Sequence, residues 1–392
     1  MKSRTLPPHQ FPALLASALV LAFGSSLPAK DDPDPASLDQ FRKPQARADL
    51  HVPDIPGFRT LKCDFHMHTV FSDGQVWPSV RVQEAWEEGL DAICITDHIE
   101  YQPHAEDLPP KRNRPFEIAK PAALESNILL VKGSEITRNT PPGHFNALFL
   151  TDSDKLPTDS NQSFDQMALD EAAAQKAFVF WNHPGWKAGS VKGSYDWIPF
   201  VDKLHQEGKL HGIEVINGFG FYRKALDWCL DQKVAVMGSS DIHNLIAHEY
   251  DFSHGRTRTM TLVFAKERTV PGLREALEAA RTVAWSNDLL AGPEPLVQEL
   301  IKASLSVSPV HHTDAKGLEF LELHNRSGFR FTLECPKPVG GLPKTIQVEP
   351  DSSLVLKGKG ILKSLGESTY EATNLFIRSD RHPAFRLGIE AK

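Results

Sequence analysis

The chain has 392 residues, 41% hydrophobic and 24% charged, which fits a globular protein with a barrel of about 250 residues and a smaller unit beside it. Its formal net charge of -7 argues against non-specific nucleic-acid binding, which needs a basic surface, so no stable nucleic-acid complex is expected. An anionic substrate would have to meet bound cations instead.

Lys2 and Arg4 precede an apolar run over residues 13–23, followed by Gly24, Ser25 and Ser26. This is the layout of a secretory signal peptide, and the run is too short to span a bilayer. Residues 1–29 are therefore expected to be a signal peptide, with the mature chain starting near Lys30 and an N-terminal extension over 30–58. No Cys follows the run, so no membrane anchor is expected, and the protein reads as exported, periplasmic or extracellular. Cys63, Cys94, Cys229 and Cys335 are scattered and read as small buried hydrophobes.

From residue 61 onward, short apolar runs alternate with longer amphipathic segments. Strands are expected over 61–66, 91–96, 128–131, 145–150, 178–181, 213–216, 234–237 and 260–264. Helices are expected over 80–88, 117–126, 164–175, 222–230 and 273–280. Continuous apolar strands alternating with helices indicate a parallel sheet covered on its outside. The character changes near Gly292-Pro293. Alternating patterns over 318–323, 329–333, 345–348, 354–356 and 375–378, separated by turn residues, predict a small antiparallel β domain over 292–392.

His66 and His68 sit at i and i+2 after the first apolar run, and Asp241 and His243 repeat that spacing after another. On a strand this puts both groups of a pair on one face. Asp73, His98, Glu135, His144 and His183 also fall at or just past strand ends. Imidazole and carboxylate together suit zinc, manganese or iron. Ligands at the carboxyl ends of so many strands require a closed or nearly closed barrel over 59–291, because an open sheet would leave its outer strand ends far apart.

These residues are ordered as H-x-H-x-x-x-x-S-D-G (66–74), T-D-H (96–98), G-x-E (133–135) followed by G-H (143–144), N-H-P (182–184) and S-D-x-H (240–243). In that order they resemble the polymerase and histidinol phosphatase (PHP) superfamily over roughly residues 61–292. The resemblance implies an α/β fold, a distorted barrel of seven strands, with two or three divalent metal ions. The first would be held by His66, His68, Glu135 and Asp241. Glu135 would be shared with a second, bound also by His144 and His183, and Asp73, His98 and His243 would hold the third. Some members of the family carry His where this chain has Asp73.

A hydroxide held between two such ions attacks phosphorus in line, and the cations neutralise phosphoryl oxygens. The expected activity is hydrolysis of a small phosphodiester or phosphomonoester, with diesters ahead. Glu135, Asp97 and His104 are the expected catalytic side chains; Asp97 also suits a supporting role beside His98, and His254 and Tyr101 are other sources of the leaving-group proton. Arg138, Arg256 and Arg258 are candidate phosphate contacts, and Trp181 a candidate pocket wall. Ligating imidazoles must be neutral, so activity should fall in mild acid. A metal-bound water also attacks carbonyls, which leaves amide or lactone hydrolysis as an alternative, and a non-catalytic, metal-stabilised binding protein as another.

Overall fold

The computed structural model describes residues 46–158, 165–186 and 195–388; the expected signal peptide and residues 30–45 lie outside them. The apolar runs form β1 (Arg59–Asp64), β2 (Ala92–Ile95), β3 (Leu129–Ile136), β4 (Phe145–Leu148), β5 (Phe178–Trp181), β6 (Gly212–Asn217), β7 (Gly220–Phe221), β8 (Ala235–Ser239), β9 (Met260–Ala265), β10 (Thr282–Ser286) and β11 (Leu289–Ala291). The C-terminal part adds β12 (Leu305–Val307), β13 (His312–Thr313), β14 (Glu319–Asn325), β15 (Phe331–Glu334), β16 (Thr345–Val348), β17 (Ser352–Gly358), β18 (Tyr370–Ala372), β19 (Leu375–Phe376) and β20 (Ala384–Phe385). One 12-stranded sheet runs β19-β11-β10-β9-β1-β2-β3-β4-β5-β6-β7, with β8 also paired to β6. The fold is thus α/β, a distorted barrel followed by small antiparallel sheets.

The expected parallel pairing holds for β1–β2–β3, for β5–β6–β8 and for β11–β19; β4 runs antiparallel to both neighbours, β9 to β1 and β10, β10 to β11 and β6 to β7. The link from β3 to β4 explains the first exception. Residues 137–144 are too few for a crossover, which takes about a dozen or more, so the chain turns back as a hairpin. Strands such as β2 and β5 are apolar at every position and fully buried, as expected of strands covered on both faces.

Among the described residues, no ladder joins β8 to β9 or β10. Threonine side chains bridge that seam: Val236 N donates to Thr282 Oγ1 (2.9 Å), and Thr261 Oγ1 accepts from Gly238 N (2.9 Å) and donates to Gly238 O (2.8 Å). Gly238 is needed there because a Cβ would lie 2.6 Å from Met260 O.

Helix α1 (Pro78–Glu87) begins with proline, whose missing N–H is not needed in a first turn, and buries Val82 and Ala85. From Arg47 onward the chain forms one compact unit. The C-terminal part returns β19 to the barrel sheet, pairing Leu375 with Leu290 and Phe376 with Ala291. Its Phe329 meets Trp285 of β10 edge-on at 4.8 Å, and one apolar cluster runs from Ile93 and Leu262 to Phe331 and Leu365.

Candidate metal centre

Backbone pairing continues past the strand ends and brings the ligand-bearing segments side by side. His68 N donates to Ile242 O (3.0 Å) and Asp241 N to His66 O (2.9 Å), so the two i, i+2 motifs are joined directly. Thr96 N reaches Met67 O (2.9 Å), and Glu135 N reaches Asp97 O (3.1 Å). The β3–β4 hairpin sets His144 against Glu135, with His144 Nδ1 to Glu135 Oε1 at 2.8 Å. His183 (φ 26°) and Asp241 (φ 54°) both adopt positive φ, a conformation costing non-glycine residues about 1–3 kcal/mol that concentrates at functional sites.

All nine expected ligands converge at one mouth. His66 Nε2 lies 3.2 Å from Glu135 Oε2 and 3.0 Å from Asp241 Oδ1, and His68 Nε2 lies 3.2 and 3.1 Å from the same oxygens. Donors about 2.0–2.1 Å from a tetrahedral ion are separated by roughly 3.4 Å, so this set fits one cation. The other Glu135 oxygen, Oε1, faces His144 and, at 3.8 Å, His183 Nε2. A third group forms around Asp73, whose Oδ1 is 3.3 Å from His243 Nε2 and whose Oδ2 is 3.7 Å from His98 Nε2. His68 also turns Nδ1 toward this group, 3.6 Å from Asp73 Oδ1. Four overlapping groups bring their ligand atoms close enough that each could hold a cation: His68, Asp73, His98 and His243; His66, His68 and Asp241; His66, Glu135 and His183; and His98, Glu135 and His144, so His144 and His183 fall in different groups and not in the one expected set.

The charges suit such ions. Burial opposes ionisation of Glu135 and Asp241, yet the surrounding imidazoles hold both well below the usual carboxylate range. Burial likewise opposes protonation of His68, but its bonds to Asp241 and Glu135 prevail and push it up to about 10. His66 is raised in the same way, burial being outweighed by Asp241, Glu214 and Glu135. His98, mainly through burial, falls to about 4 and is a neutral donor at pH 7. A cation binding His66 and His68 must therefore expel protons, and its apparent affinity should rise with pH up to about 10. Titrating metal into chelated protein at pH 7.5, in buffers of different ionisation heat, should report about two protons released with the first cation. No release would contradict the pairing described.

Several supporting side chains were not read from the sequence. Glu214, fully buried in β6, bonds His66 Nδ1 (2.7 Å) and accepts from His183 N (2.8 Å) and Asn217 Nδ2 (2.9 Å). Asn182 donates to Glu135 Oε1 (2.9 Å). Arg81, buried at the foot of α1, donates to the carbonyls of His68 (2.9 Å), Asn244 (2.8 Å) and His243 (2.8 Å), clamping both motifs. A lone carboxylate inside the apolar run 213–216 and an arginine on a helix that buries Val82 and Ala85 were the available signals, since buried charges need partners.

Other expected roles are not supported by position. Asp97 accepts from Thr69 N, Thr69 Oγ1 and Ser72 Oγ, each at 2.7 Å, and so pins the loop after His68 instead of joining the cluster. His104 is exposed, and no side-chain contact with the cluster is found for it among the described residues. His254 is exposed and bonded to Asp251. Arg138 is buried against Glu100 (2.7 Å), and Arg258 against Asp64 (2.7 Å) and Glu88 (3.3 Å). Trp181 is a core residue, donating to Pro142 O (2.8 Å) and stacked on Trp228. All four cysteines are free and buried.

Fold and site together define an α/β barrel equipped to hold cations at the carboxyl ends of its strands. The PHP domain model matches residues 64–267, more than half of the chain, and the chain belongs to that family. It is 40% identical to a two-domain protein of Bacteroides vulgatus containing a predicted PHP-like metal-dependent phosphoesterase; the match covers 88% of this chain and 99% of that one, with a TM-score of 0.81. An uncharacterized protein of Methanocaldococcus jannaschii is 33% identical over 81 residues, 21% of this chain and 36% of that protein, so the similarity spans about a third of that relative.

Proposed function

We propose that the protein is a metal-dependent phosphoesterase acting on a small phosphodiester or phosphomonoester with two or three divalent ions of zinc, manganese or iron. The observation that carries this reading is the division of Glu135: Oε2 faces His66 and His68, while Oε1 faces His144. One carboxylate can thus hold two cations close together. Bound there, divalent ions supply Lewis acidity toward phosphoryl oxygens and lower the pKa of a coordinated water toward neutrality.

The chain's own contribution is fixed placement. The bonds from Glu214, Asn182 and Arg81 hold the donors in position, which limits the reorganisation needed during reaction. The Bacteroides vulgatus relative, similar along nearly its whole length, supports the same chemistry.

The test is hydrolysis of a chromogenic phosphodiester and the matching monoester by protein stripped with a chelator and then reloaded with zinc, manganese or iron. Turnover should vanish on stripping and return with metal, the diester being turned over faster. Metal-loaded protein that cleaves neither ester, but cleaves lactones or amides, would overturn the reading.

A further inference from the structure

His98 belongs to two of the four cation groups, one with His68, Asp73 and His243 and one with Glu135 and His144. Its two ring nitrogens divide between them: Nε2 lies 3.7 Å from Asp73 Oδ2, and Nδ1 lies 3.3 Å from Glu135 Oε2. A neutral imidazole carries its proton on one nitrogen and offers a lone pair on the other, and only the bare nitrogen binds a cation. The group that faces the bare nitrogen therefore keeps His98, and the other goes without it.

Thr137 stands at that choice. Side chains alternate along an extended chain, so Thr137, two residues past Glu135 at the end of β3, projects on the same side as Glu135. Its Oγ1 lies 2.8 Å from His98 Nδ1, closer than that nitrogen comes to Glu135. The residue is also clamped from behind. Its N–H donates to Glu100 Oε2 (2.9 Å), its carbonyl accepts from Arg138 Nη1 (2.7 Å), and the same Nη1 donates to Glu100 Oε1 (2.7 Å). Arg138 Nε donates to Asp165 O (2.9 Å), and the Arg138 and Glu100 side chains are 0% and 3% exposed. The Thr137 hydroxyl turns its own proton to the Glu100 carboxylate, which leaves its oxygen lone pairs for His98. Arg138, which makes no phosphate contact from its buried position, has a use after all: it fixes the backbone that carries this hydroxyl.

We propose that Thr137 is a positioning residue: held by the Glu100–Arg138 pair, its hydroxyl accepts a hydrogen bond from His98 Nδ1–H and so commits Nε2 to the cation of His68, Asp73 and His243. Glu135 and His144 then hold their cation without His98. This rests on the metal-dependent reading of the centre and deepens it, since it says which nitrogen serves which ion.

Zinc-loaded protein with 15N in its histidine rings tests the assignment by NMR, with elemental analysis of the same sample. In the wild type the His98 ring, identified by comparison with His98→Gln, should carry a proton on Nδ1 and zinc on Nε2. Thr137→Val keeps the size and removes the hydroxyl. It should weaken the cation beside Asp73 about 10- to 100-fold and leave the ions at Glu135 unchanged, and Thr137→Ser should restore the loss. A merely structural role predicts instead a lower unfolding temperature and the same loss at every ion. A wild-type His98 with zinc on Nδ1 or on neither nitrogen overturns the inference, as does a Thr137→Val protein that keeps every ion at wild-type affinity; either result leaves the phosphoesterase reading standing. The wild-type spectrum decides the matter even where a variant does not fold. If the wild type binds no zinc, the phosphoesterase reading falls and this inference with it.

Discussion

Replacing Glu135 with Gln should lower turnover of a phosphate ester about a thousandfold or more, the equivalent of roughly 4 kcal/mol of transition-state stabilisation. Glu135 is fully buried and bonded through both oxygens, Oε2 near His66 and His68 and Oε1 near His144 and Asn182. The amide is neutral, and its NH2 end must face one of the two imidazole groups, where it donates and cannot bind a cation. One oxygen would still serve one side. Metal content should therefore fall by about one ion per chain while the barrel stays folded, because size and shape are kept. Elemental analysis, steady-state hydrolysis and thermal unfolding on one preparation check the three parts. A variant with full metal content and activity within tenfold of the wild type would remove Glu135 from the centre.

What could be read in the sequence follows the range of each interaction. Strand runs such as 178–181 and the i, i+2 ligand pairs are local, because alternation along a strand alone puts His66 and His68 on one face. The expected strands and helices of the barrel recur within a few residues of their predicted limits. Missing from that reading were β7, β10, β11 and the helices at Pro199–Gln206 and Ile246–Glu249, and, within the segment expected to be all β, the helices at Glu294–Ser304 and Ile361–Glu367. The return of β19 to the barrel edge depends on residues some 85 positions apart, Leu290 and Leu375. At the site the same division holds. The ligands declare themselves by spacing, but their supports do not: Glu214 meets His66 across 148 residues and Arg258 meets Asp64 across 194. Asp97 illustrates the converse, since adjacency to His98 suggested chemistry while its carboxylate is committed to Thr69 and Ser72.

The support that should matter most is Glu214. Its carboxylate fixes His66 with Nδ1 bonded inward and Nε2 directed at Glu135 and Asp241, the orientation in which a ligating histidine donates its other ring N–H to a carboxylate. Its second oxygen accepts from His183 N and from Asn217, so one buried group orients ligands assigned to both shared cations. Glu214→Gln should weaken metal binding about 10- to 100-fold. The loss should also be specific, with activity recovering substantially at high metal concentration because every ligand remains. Glu214→Ala takes the carboxylate away from two buried donors, His66 Nδ1 and His183 N, at about 1–3 kcal/mol or more each, and should lower the unfolding temperature as well. A purely structural role predicts that both variants lose stability and that added metal rescues neither. A positioning role predicts a Gln variant of near wild-type stability whose metal-dependence curve is displaced to higher concentration.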